Sequence, residues 1–126
     1  YSLLKQYKGE WEFDTNWKMI FGHPKKAGWI KAIQEAQQTV QKGLKLDCPI
    51  LVMSSNKSFP ETETWHEEYM TSDIVLDVQD IQKYGQKLGD KVTRDTIPNG
   101  IHDLILSQKP YRNDAYQTIF EWLKKQ

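Results

Sequence analysis

The chain has 126 residues, with 17 Lys plus Arg set against 17 Asp plus Glu; its length suits one domain with a modest core, and its balanced charge excludes a net field for nucleic acid or an anionic membrane surface. No apolar run approaches the roughly 18 to 20 residues that span a bilayer, so neither a transmembrane segment nor a nucleic-acid partner is expected. The single cysteine, Cys48, cannot close an internal disulfide, which fits a reducing, cytoplasmic setting.

Residues 1–26 form an irregular aromatic segment: "YKGEWEFDTNWKMIFG" follows neither a period of 3.6 nor a period of 2. From Ala27 to about Lys42, the spacing of Trp29, Ile33, Ala36 and Val40 predicts a helix with one buried face, stopped by Gly43. Cys48 precedes an apolar run and is expected to be buried with it. "PILVMSS" reads as a short strand buried on both faces, as in a parallel sheet. Residues 56–72 are polar and unperiodic and predict a long loop of the functional or mobile kind. Asp77 is placed to cap a helix reaching about Leu88, with Gly89 ending it. "KVTRDTI" predicts a second strand. After the Pro98-Asn99-Gly100 turn, a final helix from about Tyr111 carries Ala115, Ile119 and Leu123 on one stripe.

The order over residues 27–126 is thus helix, strand, helix, strand, helix: an α/β fold with a small parallel sheet flanked by helices. A strand, helix, strand unit of this spacing makes a right-handed crossover, so both strand-to-helix loops leave the same edge of the sheet. In open parallel sheets functional groups collect outside the carboxyl ends of the strands. Asp73 lies in the loop after the first strand and His102 in the loop after the second. Adjacent strands, about 4.8 Å apart, would bring both side chains within reach of each other. A carboxylate that accepts from one imidazole nitrogen leaves the other free as a base. On the residues alone, Asp77 competes with Asp73 for the acid, and His102 could instead be a loop histidine satisfied by backbone groups.

Four stretches carry a resemblance: "CPILVMSS", "SDIVLDV", "NGIHDLILS" and "AYQTIFEWL". In that order they resemble the C-terminal part of an α/β-hydrolase-fold serine hydrolase of the lysophospholipase and monoacylglycerol-lipase-like (serine aminopeptidase-like) family. The likeness covers most of residues 48 to 124. "KGEWEFDTNWK" and "AGWIKAIQEA" resemble the stretch between the lid and the last part of the sheet in some microbial members. It implies that Asp73, in Ser-Asp-x-x-Leu-Asp, matches the triad acid, that His102, in Gly-x-His-Asp, matches the triad base, and that Asp77 caps the following helix. It also implies a small-molecule acyl ester substrate and no cofactor or metal.

The family's nucleophile sits earlier in the chain, on a Gly-x-Ser-x-Gly elbow. Ser2, Ser54, Ser55, Ser58, Ser72 and Ser107 all lack that context. The chain therefore reads as a fragment with two of three triad residues, an expectation that its start at Tyr1 rather than Met supports. Alone it should be inactive, with the N-terminal remainder of a parent chain as its natural partner and an uncovered apolar edge that favours self-association. His66, beside Glu67 and Glu68, could be imagined to share a metal with His102 or His23, but adjacent loop residues lack the spaced, supported ligands of such sites, and no metal is expected. In the resembled family the region before the late strands contributes to a lid over the acyl pocket, which makes Trp11 and Trp17 candidate substrate-lining residues. The rival reading is a binding module in which Asp73 and His102 are structural and the aromatic segment forms a contact surface; a third keeps the hydrolase ancestry without the activity.

Overall fold

The structure, a computed structural model, describes residues 3–7, 9–19, 22 and 24–126. Its centre is two parallel strands, β1 (Ile50–Ser55) and β2 (Val92–Ile97), paired in register from Ile50 against Val92 to Ser55 against Ile97. Both predicted strands are present, and they are neighbours. Three α-helices accompany them: α1 (Ala27–Lys42), α2 (Val78–Gly85) and α3 (Lys109–Leu123), with single 3₁₀ turns at Lys5–Tyr7, Glu67–Met70 and Leu104–Leu106. This is a small α/β unit.

Alternation along the strands separates the helices into two layers. Gly85 of α2 packs on Val52, and Arg94, the register partner of Val52, donates to the Gln82 carbonyl of α2 at 3.1 Å. On the opposite face, Met53 meets Ala115 and Ile119 of α3 around a shared recess, and Trp122 Nε1 donates to Thr93 Oγ1 at 3.2 Å. The sheet is therefore sandwiched, with α2 on one side and α3 on the other.

α1 occupies the predicted span and stops where Gly43 turns to φ +98, a conformation that glycine adopts without the penalty a Cβ brings. Its apolar stripe, by contrast, is not buried: no residue of α1 is, and Trp29 remains 53% exposed. The helix leans chiefly on α2 and its flanks, through Ile33, Ala36 and Val40 around a recess shared with Leu76, Ile81 and Tyr84, and through Lys87 Nζ, which donates to the Gln41 carbonyl at 3.0 Å. α3 has the same character at its far end, where Phe120 and Leu123 are exposed.

Three further boundaries and burials differ from expectation. α2 ends at Gly85 rather than Leu88, because Leu46 forms a bridge to Gly89 and the Leu46 amide donates to the Leu88 carbonyl at 2.8 Å, which draws residues 86–89 into the sheet's margin. α3 starts at Lys109, with Pro110 in its first turn, where a missing N–H costs nothing. Cys48 is exposed: it lies ahead of β1, at the rim and outside the packed span.

Candidate active site

Asp73 and His102 meet at the edge where both strands end. His102 Nδ1 lies 2.9 Å from Asp73 Oδ2. Asp73 is 1% exposed, and burying a carboxylate without partners would cost several kcal/mol. Its partners are in place. The amides of Val75 and Leu76 donate to Oδ1 at 2.8 and 2.9 Å, an Asx-type turn in which the acid folds its own loop around itself. Its backbone is tied as well: the Asp73 amide donates to the Lys57 carbonyl at 3.0 Å, the Phe59 amide donates to the Asp73 carbonyl at 2.9 Å, and Ser58 bridges Asp73 as one further rung beyond β1. Three N–H contacts to one carboxylate, each stronger than a neutral hydrogen bond, offset its desolvation.

His102 arrives from the other strand. Asn99, at φ +59, takes the left-handed conformation that Asn tolerates better than most residues, and the Gly100 amide closes the turn on the Ile97 carbonyl at 3.1 Å. The buried Ser107 hydroxyl accepts from the Ile101 amide at 3.0 Å and holds the far side. The His102 side chain is 42% exposed, and among the described residues only Asp73 hydrogen-bonds its ring. An ionised carboxylate can only accept, so a hydrogen bond to it requires the proton on Nδ1, and a neutral ring in that form would present its lone pair at Nε2. This is the tautomer a general base needs.

Beside the imidazole a recess of about 360 Å³ is lined by Met53, Leu104, Ile105, Ala115 and Ile119 together with His102 and Asp103. Trp11 and Trp17 do not line it. Trp11 is held against the loop after His102, its Nε1 donating to the Leu106 carbonyl at 3.2 Å and its ring lying under Arg112 at 4.8 Å. Trp17 is 86% exposed. Asp77 is also placed apart from the pair: its side chain accepts from the Gln79 amide at 2.8 Å and caps α2, which separates the two aspartates by task.

No described serine hydrogen-bonds the histidine. Ser54 Oγ donates to the Ser55 carbonyl and accepts from the Gln82 amide group. The hydroxyls of Ser55 and Ser107 accept backbone amides, and Ser58 spans Leu76 and Val78. Ser72 Oγ is buried and makes no hydrogen bond to the described residues. His66 faces Thr64, 3.3 Å away, and packs on Phe59. Among the described residues no group of three His, Cys, Asp or Glu could hold a metal, and no helix is long and apolar enough to cross a membrane. Ser2 and His23 lie outside the described residues. Two contributors to the site, Asn56 and Ser58, are not singled out by sequence pattern; the small polar run Ser54-Ser55-Asn56 that closes β1 is the one signal that points toward the first of them.

No family model, no curated protein and no solved structure matches the chain.

Proposed function

We propose that the chain is the C-terminal part of an α/β-hydrolase-fold serine hydrolase that cleaves carboxylic esters of lipid-like or other apolar acyl groups. In this reading a serine upstream of Tyr1 attacks the acyl carbonyl, His102 Nε2 takes its proton and returns it to the leaving alcohol, and Asp73 fixes the ring and stabilises the imidazolium. The observation that carries the reading is the 2.9 Å contact between His102 Nδ1 and a buried Asp73, made where two parallel strands end. The apolar recess beside the ring is compatible with an acyl or alcohol group at the reacting centre.

The test is to express the full open reading frame containing these residues and label it with a fluorophosphonate, which reacts with activated serines. Labelling that His102→Ala abolishes, about 10³-fold or more in rate by the usual contribution of a triad base, is the expected result. Absence of labelling, or labelling indifferent to His102, overturns the reading. A binding module is the second reading, and the observation in its favour is the exposure of Trp29, Ile30, Tyr116 and Phe120 on the outer helices.

A further inference from the structure

The Asp73 and His102 loops come from different strands, and holding them in register asks for something that touches both. The stretch immediately after β1 does so. Asn56 Oδ1 accepts the amide of Asn99, in the turn ahead of His102, at 3.0 Å. One residue on, the Lys57 carbonyl accepts the Asp73 amide at 3.0 Å. Ser58 Oγ then donates to the Leu76 carbonyl at 3.0 Å and accepts from the Val78 amide at 2.9 Å, so it closes the acid loop just after the point where Asp73 itself folds it. Three consecutive residues thus each hold one of the two loops.

We propose that Asn56 and Ser58 are positioning residues: a brace that sets the Asp73 carboxylate and the His102 imidazole at hydrogen-bonding distance and so selects the Nδ1–H tautomer of His102. The inference rests on reading Asp73 and His102 as a proton-transfer pair. Neither brace residue touches the imidazole, and their effect reaches it through the two loops. The energetics are suited to this. Both residues are exposed, so losing either side chain leaves amides that water can reach and costs little fold stability. The imidazole, in turn, needs only a small displacement to lose a hydrogen bond, since the interaction weakens steeply with distance and angle.

The experiment uses the 126-residue chain, with side-chain nitrogen shifts of His102 read by NMR at a pH where the ring is neutral, in wild type, Asp73→Asn, Asn56→Ala, Ser58→Ala and the double alanine variant. Wild type should show His102 protonated at Nδ1. Each alanine variant should lower the ratio of the Nδ1–H to the Nε2–H tautomer about three- to tenfold, the factor carried by one ordinary hydrogen bond, while Ser58→Thr and Asn56→Asp, which keep the oxygen, restore it. Ser58→Cys, similar in size but a poor hydrogen-bond partner, replaces Ser58→Ala if that variant loses its dispersed backbone spectrum. If wild type lacks the Nδ1–H form, or Asp73→Asn leaves it untouched, the pair itself fails and the brace with it. If the pair behaves as expected but the alanine variants keep the wild-type ratio, the brace alone is refuted.

Discussion

The strand ends and the outer helices of this small protein are finished to different degrees. At the strand ends, Asp73, Ser55, Ser72 and Ser107 are each 1% exposed. On the outer helices, Trp29, Phe120 and Leu123 are more than half exposed, and α1 buries nothing. The usual arrangement, with large apolar side chains inside and polar ones outside, is partly inverted. Asp73, Ser55 and Ser107 are buried with hydrogen-bond partners, while Ser72 Oγ has none among the described residues, and the outer helices leave Trp29, Phe120 and Leu123 open. The pair at the centre is built by local turns and by two neighbouring strands.

The contrast can be broken most forcefully at its polar centre. Asp73→Ala leaves the Val75 and Leu76 amides and His102 Nδ1 without their acceptor. The expected loss, read from urea unfolding of the chain, is about 2–4 kcal/mol, short of the cost of breaking a fully buried pair because His102 is partly exposed. A loss under about 0.5 kcal/mol, the scale of an ordinary surface change, would mean that the buried acid is not an organising element. A smaller effect is expected one layer out. At Gly85 an added Cβ would lie 2.7 Å from Val52 Cγ1, and a β-branched partner cannot swing aside. Overpacking of about 1–3 kcal/mol, less the roughly 1 kcal/mol that alanine contributes to a helix, leaves Gly85→Ala mildly destabilising; a stabilised variant would show that α2 floats on β1. The least effect on stability belongs to the outer faces. Trp29→Ser combined with Phe120→Ser should change unfolding by no more than about 0.5 kcal/mol but shift concentration-dependent association toward monomer in sedimentation. Association unchanged by the double substitution would place the sticky surface elsewhere, with the edge of β1 that no described strand pairs as the next candidate.

Much of the centre is legible in the amino-acid pattern. The α1 span, both strands, the cap at Asp77 and the approach of Asp73 to His102 follow from periodicity, from cap chemistry and from the rule that parallel strands deliver their loops to one edge. The rest depends on contacts distant in the chain. Nothing local to Leu88 says that α2 must yield its last turn so that Gly89 can bridge Leu46. Nothing local to Cys48 separates the rim from the strand. The period of the α1 stripe states which face seeks cover, not whether cover is there. Asn56 and Ser58 stand out only as small polar residues in a loop, because their partners are Asn99, Leu76 and Val78.

The central claim is that His102 and Asp73 are the last two members of a triad whose nucleophile precedes this sequence. Reading the coding sequence upstream of the codon for Tyr1, in frame, tests it most directly. The account predicts Gly-x-Ser-x-Gly between a strand pattern and a helix pattern, in the order Ser, then Asp73, then His102. A frame that closes upstream without such an elbow would contradict it and would leave the buried Asp73 and its histidine as parts of a binding module.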